Sequence, residues 1–175
     1  MTVTKTLVLA AILALPFATR ADLTLHDADS AVATMRKTDP SLKKFFHNAV
    51  GYAVFPNVAK GGLGLGGAGG SGFVFENGKA VGKTTLAQAT IGAQVGGQTY
   101  YEIIFFQTRQ SLADFEKGEW TMDAQATAVA LKSGASADAA YNSGVAVFTL
   151  TKGGAMAEAS VGGQRFTYEP LNSHK

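Results

Sequence analysis

The chain has 175 residues, of which 46% are hydrophobic and 16% are charged. This length fits a single domain of about 100–200 residues, and the composition supports an apolar core and excludes a disordered, highly charged chain. The formal net charge is +2, and 13 basic residues match 13 acidic ones when Lys5 and Arg20 of the N-terminal segment are set aside. A neutral chain argues against nucleic-acid binding, which requires a basic surface for the phosphates.

Residues 1–21 are predicted to be a secretory signal peptide. Lys5 precedes an apolar run over residues 7–15, and small residues stand three and one positions before a cut after Ala21. A cut after Ala18 is the alternative. The run is shorter than the ~20 residues that a bilayer-spanning helix needs. We therefore expect residues 22–175 to form one exported domain, periplasmic or secreted.

The sequence contains no cysteine, which removes several kinds of site at once. Disulfides, thiolate metal sites and cysteine nucleophiles are excluded, and so is a lipid anchor linked through cysteine. The stability of the domain must therefore come from packing.

Two helices are predicted at the start of the domain. Apolar residues recur every three or four positions from Leu25 to Met35, which is typical of a helix with one buried face. Asp39-Pro40 then fits an N-cap followed by proline at the first helical position. The second helix has an apolar face formed by Leu42, Phe45, Phe46 and Ala49, and Gly51 is expected to end it.

The pattern then changes to that of strands. Tyr52 to Phe55 predicts a short strand that Pro56 either stops or holds at a sheet edge. From Leu63 to Phe75 large apolar residues alternate with glycine or alanine, so one face is bare and can let a second backbone approach. Asn77-Gly78 predicts a two-residue hairpin turn and hence antiparallel pairing. Tyr100 to Phe106 is apolar on both faces except for Glu102, which predicts a central strand.

The remaining elements complete an α+β pattern. Thr108 is predicted to cap a short helix that buries Leu112 and Phe115 and stops at Gly118. Four alternating stretches follow, and Gly162-Gly163 predicts a second tight turn; the stretches are Trp120–Leu131, Val145–Leu150, Ala155–Val161 and Arg165–Tyr168. We expect an α+β fold in which a curled antiparallel β-sheet, sandwich-like or barrel-like, packs against N-terminal helices.

Several motifs resemble catalytic or cofactor-binding sites, but each lacks a residue, a spacing or a structural element that the site requires. Gly62, Gly64 and Gly67 match GxGxxG, but the period of two continues afterwards where a dinucleotide site needs a helix. Lys83 follows a glycine as in a P-loop, yet Asn77 occupies the position of the first required glycine. The histidines His26, His47 and His174 lack metal-site spacing, and His26 and His47 are predicted to be surface helix residues. We predict a protein that is not an enzyme and has no catalytic residue, metal, cofactor or nucleotide.

A basic and aromatic stretch is the strongest candidate for a binding site. From Met35 to Lys60 five basic residues accompany Asp39 as the one acidic residue, and two phenylalanines adjoin them; the candidates are Arg36, Lys37, Lys43, Lys44, Phe45, Phe46 and Lys60. A basic amphipathic helix with aromatic residues can lie at a lipid headgroup surface. The alternative is that both rings belong to the core while the lysines face solvent.

Three runs of the chain resemble the SYLF domain family. The run AVGYAVFPNVAKGGLGLGGAGGSGFVF resembles the family hallmark of a strand closing in Phe-Pro, a lysine and a glycine-rich strand. The runs IGAQVGGQTYYEIIFFQTRQSLADFEKG and YNSGVAVFTLTKGGAMAEASVGG are similar to its later segments. The similarity spans residues 28–168. It departs from the family at Ala124 to Ala130, which is alanine-rich and lacks the Gly-Pro-Gly-like element of eukaryotic members.

This resemblance implies binding. Eukaryotic SYLF proteins bind phosphoinositide membranes, partly through an N-terminal amphipathic segment, and some yeast members bind actin, which has no counterpart in a bacterial periplasm. Carried over, the lipid contacts are the basic helical residues, with Lys60 matching the family lysine before the glycine-rich strand. We expect peripheral binding to an anionic phospholipid membrane, with protein partners left undetermined. Alternatives are a small outer-membrane β-barrel and a structural or protein-binding envelope protein.

Overall fold

The structure is a computed structural model that describes residues 22–153 and 161–171. The helices are α1 (Leu25–Thr38), α2 (Lys43–Asn48) and α3 (Arg109–Glu116), with a 3-10 turn at Pro40–Leu42. The strands are β1 (Gly51–Glu76), β2 (Lys79–Phe106), β3 (Trp120–Thr121), β4 (Val129–Ala130), β5 (Val145–Gly153) and β6 (Arg165–Pro170). The predicted signal peptide, most of the stretch Ala155–Val161, and His174 lie outside the described residues.

Side-chain caps define where the helices begin. Thr24 forms a capping box with Asp27 at the start of α1. Asp39 caps the 3-10 turn as predicted, since its Oδ1 accepts a hydrogen bond from the Ser41 N–H at 3.0 Å. Thr108 caps α3, which buries Leu112 and Phe115, also as predicted.

The second helix ends earlier than its sequence suggests. Ala49 already has extended backbone angles, with φ −75° and ψ 143°, so the helix ends at Asn48. Gly51 does not end the helix, as we had expected, but begins β1. The break arises because Val50 already donates its N–H to the carbonyl of Phe106, at the start of the β1–β2 pairing.

A long hairpin of β1 and β2 forms the centre of the sheet. Its turn is the predicted one, with φ 50° at Asn77 and φ 75° at Gly78, between the paired residues Glu76 and Lys79. Pro56 does not stop the first strand. It lies at an irregularity in the register between Phe55 and Val58, in a strand that pairs, among the described residues, with β2 alone. Proline has no backbone N–H to donate, and it is tolerated at such a bulge in an edge strand.

The hairpin bends so that the two halves of β1 approach each other. A Cβ atom added to Gly72 would lie 2.3 Å from the carbonyl oxygen of Val54 and 2.8 Å from the ring of Phe55. The bare face predicted from the glycine pattern therefore receives a second backbone, supplied by the same strand.

The other strands pair with the opposite edge of β2. β6 pairs with the first half of β2 and β5 with the second half, giving the order β3-β6-β2-β5-β4. The pairs are antiparallel except for β4 with β5, which is parallel. The predicted α+β fold with a curled sheet is confirmed. The predicted stretch Trp120–Leu131, however, contains only the two-residue strands β3 and β4 within a largely irregular segment.

Two hydrophobic cores cover the two faces of this sheet. The inner core lies within the curl, where Phe55, Ile104 and Phe106 pack with Phe115 of α3 and Phe166 of β6. The helix-facing core packs α1 and α2 against the other face; its members include Ala31, Met35, Phe45, Val54, Phe75, Phe105 and Phe148. Consecutive residues of β2 alternate between the cores, because side chains along a strand point to opposite faces.

Candidate functional site

Three of the predicted basic residues are exposed on the N-terminal helices. Arg36 and Lys37 lie in the last turn of α1, where cations interact favourably with the carbonyl end of a helix. Lys43 is the first residue of α2 and is also exposed. We call these three residues the cationic surface. The neighbouring Asp39 is fully buried and its carboxylate points inward.

Phe46 links the two helices beneath the cationic surface. The guanidinium carbon of Arg36 lies 5.2 Å from the centroid of its ring. The half-buried ring also packs edge-to-face against Tyr52 at 5.2 Å and Phe105 at 4.8 Å. The cation–π contact orients Arg36 across the top of α2.

Phe45 and Lys44 have structural contacts instead. Phe45 is 2% exposed, and its ring lies 4.7 Å from that of Phe148 in the helix-facing core, so it has no access to a headgroup in this conformation. Lys44 Nζ donates to the carbonyl oxygens of Ala137 at 2.5 Å and Ala139 at 3.1 Å. The structure thus separates these two residues from the cationic surface.

Lys60 lies apart from the other basic residues, in β1. It is 8% exposed, and its charge acts on the buried carboxyl group of Glu102. Glu102 accepts a hydrogen bond from Gln164 Nε2 at 3.0 Å, while its Oε1 has no hydrogen-bond partner among the described residues. Burial raises the pKa of Glu102 to about 8, and the Gln164 hydrogen bond and the Lys60 charge oppose that rise. The pattern of basic residues along the sequence did not reveal this interior position.

The sequence pattern did not predict that one large apolar residue is exposed. Leu65 is 72% exposed, although its alternation with Phe73 and Phe75 suggested that it shares their buried face. The register of β1 is unbroken from Leu65 to Phe73, so both residues lie on the same face of the strand. Phe73 is covered by the helix-facing core, whereas the described residues leave Leu65 uncovered.

The other motifs lie where the sequence predicted. Gly62, Gly64 and Gly67 are within β1, and Lys83 is within β2, so neither segment leads into a helix. His26 and His47 are exposed. Among residues 22–153 and 161–171, no cluster of potential metal ligands occurs. None of the helices in the described part of the chain is both long and apolar enough to cross a bilayer.

Comparison with known proteins finds a family match over the second half of the chain. Residues 87–171 match the family model described as Las17-binding protein actin regulator. Beta cell expansion factor A from Aeromonas veronii is 30% identical over 142 residues, which cover 79% of this chain and 53% of that protein. Residues 87–171 are thus similar to the SYLF family. It spans about half the length of this curated relative.

The SYLF family has a known general class of activity. The family consists of binding domains, associated with lipids and with actin regulation. The matched region begins within β2, at Ala87, and runs to the end of β6, whereas α1, α2, β1 and the cationic surface precede it.

Proposed function

We propose that this protein is an exported, non-catalytic SYLF domain that associates peripherally with anionic phospholipid membranes. The observation that carries the proposal is the joint exposure of Arg36, Lys37 and Lys43 on two adjoining helices in a chain similar to a lipid-associated family. Lys44, Phe45 and Lys60 are left out of the proposed contact because the first is tied to backbone carbonyls and the other two are buried.

The helices are well suited to present these charges to a membrane. Packing between the sheet and Ala28, Ala31 and Met35 buries one face of α1, so Arg36 and Lys37 are held outward on a rigid element. Each basic side chain near an anionic lipid surface contributes about 1 kcal/mol of binding free energy. The cationic surface alone therefore predicts weak, reversible and salt-sensitive association.

Vesicle sedimentation tests the proposal. The protein, purified after export, is mixed with phosphatidylcholine vesicles that contain or lack phosphatidylglycerol. We expect pelleting with the anionic vesicles only, and reduced pelleting at high salt because surface charges are then screened. Replacing both Lys37 and Lys43 by Glu should weaken binding by roughly 30-fold or more, as about 2 kcal/mol of attraction is removed.

A matched control makes the same change of charge elsewhere. Lys79 and Lys83 are exposed lysines at the start of β2, beyond the hairpin turn. The Lys79→Glu/Lys83→Glu variant should keep most of the binding. Equal pelleting with neutral and anionic vesicles, or equal losses in the two double variants, would rule out the cationic surface as the contact.

Export has its own test. When the full chain is expressed in a Gram-negative host, we expect the protein in the periplasm or medium, with Asp22 as its first residue by mass spectrometry. An intact chain beginning at Met1 in the cytoplasm would contradict the proposed leader.

A further inference from the structure

A cavity of about 400 Å³ lies between β5 and the segment from Trp120 to Ser143, whose strand β4 pairs with β5. Pockets that hold small ligands usually enclose about 300–1,000 Å³. The cavity is separate from the cationic surface and belongs to the part of the chain that matches the family model.

The deep part of the cavity is apolar, and packing against the inner core holds its side chains in place. Trp120 and Met122 line it together with Val145 and Val147 of β5. The Trp120 ring is fixed by Phe115 and Phe166, at centroid distances of 5.6 and 5.4 Å. Met122 and Val147 are themselves buried members of the inner core. An apolar ligand here would extend the packing of that core.

The mouth of the cavity is polar but carries little charge. Its neutral polar residues are Thr121, Gln125, Thr127, Asn142 and Ser143. Among the described lining residues, Asp123 is the one with a charged side chain, and its Oδ1 accepts a hydrogen bond from the Gln125 N–H at 2.8 Å. A ligand head group at this mouth meets hydrogen-bonding groups and one carboxylate, with no cation to neutralise an anion.

The wall formed by residues 139–142 also contacts the second helix. Lys44 donates to the carbonyl oxygen of Ala139, and the Tyr141 ring lies 5.3 Å from that of Phe45. The cavity is therefore separated from α2 by a single chain segment, and α2 also carries Lys43 of the cationic surface.

We propose that this cavity binds the acyl chain of a single-chain amphiphile whose head group carries no negative charge. The apolar interior takes the chain, while the neutral polar mouth takes the head group. The inference depends on the proposed membrane association only for the source of the ligand, since a membrane supplies such molecules next to the cationic surface.

Trp120 provides a direct readout because it is the one tryptophan of the sequence. Monolaurin, added below the concentration at which it forms micelles, should shift the tryptophan emission in a saturable manner and raise the melting temperature. Laurate should bind roughly two- to five-fold more weakly because of Asp123, and Asp123→Asn should remove that difference.

Two alanine variants distinguish the cavity from adsorption to the surface. Ala126 lines the cavity, whereas Ala130 in β4 is exposed and does not line it. Filling the cavity by Ala126→Leu should weaken monolaurin binding roughly tenfold or more, since overpacking is unfavourable. Ala130→Leu should leave it unchanged. If Ala126→Leu fails to fold, Ala140→Leu at the exposed rim replaces it.

The results also separate this inference from the proposed function. No saturable change in Trp120 emission, or equal binding by the Ala126→Leu and Ala130→Leu variants, would overturn the acyl-chain site even if the protein still pellets with anionic vesicles. Saturable monolaurin binding that Ala126→Leu removes would support the site, whether or not vesicles are bound.

Discussion

Glu102 places a carboxyl group in a core formed mainly by aromatic and aliphatic side chains. On either side of β2, it pairs in register with Phe55 and Thr149. Gln164 is its one hydrogen-bond donor among the described residues, and the Thr149 hydroxyl in the same region has no partner there. The raised pKa follows from burial, which disfavours the charged form of the carboxyl group.

We predict that this residue makes the protein less stable as pH rises. Between the ordinary pKa of 4.5 and the folded value of about 8, the folded state binds more protons than the unfolded state, so the free energy of unfolding falls with increasing pH. Replacing Glu102 by Gln should flatten this slope and increase stability at pH 8 and above. Urea unfolding of both proteins from pH 4.5 to 9 checks this, and parallel pH profiles would refute it.

The strands β1 and β2 show how glycine determines shape at the scale of an element. Both are far longer than an ordinary strand of about 5–6 residues, and they remain compact because the hairpin bends. The bend brings Gly72 against the backbone of Val54, a contact that a side chain would prevent. The curl of the sheet, and hence the inner core, depends on this close approach.

A pair of substitutions in β1 tests this role. Gly72→Ala should destabilise the protein by about 1–3 kcal/mol because its methyl group would overlap the Val54 carbonyl. Gly69→Ala is the matched control, since its Cβ would lie 3.5 Å from the Leu86 carbonyl oxygen, an ordinary contact. Chemical denaturation gives both values, and equal effects of the two changes would show that close approach is not limiting.

At the scale of the whole molecule, Asp39 connects the N-terminal helices to a distant segment. Its carboxylate accepts hydrogen bonds from the N–H groups of Ser41, Gly134 and Ser136, the last two more than 90 residues away in the sequence. Burial alone would raise the pKa of Asp39, but the hydrogen bonds from Ser136 and Ser41 lower it below its ordinary value. Asp39 thus holds the 3-10 turn that precedes α2 against Gly134 and Ser136, a few residues before the cavity wall at residues 139–142.

We predict that Asp39→Asn loosens this connection. The amide can present an NH₂ group where the carboxylate accepts a bond, which leaves a buried N–H unpaired at a cost of about 1–3 kcal/mol. The melting temperature should fall, and hydrogen exchange at residues 134–142 should accelerate. Asp29→Asn, an exposed change on α1, is the control and should alter neither measurement.

Local sequence signals predicted the elements whose ends depend on nearby residues. The caps at Asp39 and Thr108 and the turn at Asn77-Gly78 form because side-chain oxygens or positive φ angles act within a few residues. The alternation places Leu65 on the face of Phe73, and the unbroken register agrees, but Leu65 is exposed because the packing that covers Phe73 comes from elements far away in the sequence.

For the candidate binding residues, too, the sequence determined one part of the result and the tertiary structure determined another. The amino-acid sequence alone established that basic residues and phenylalanines cluster between Arg36 and Lys60, and its motifs already pointed to the SYLF family. Only the tertiary structure decided that Arg36, Lys37 and Lys43 face outward while Phe45 and Lys60 are buried. Charge and polarity belong to each residue, but exposure depends on contacts with strands that lie far away along the chain.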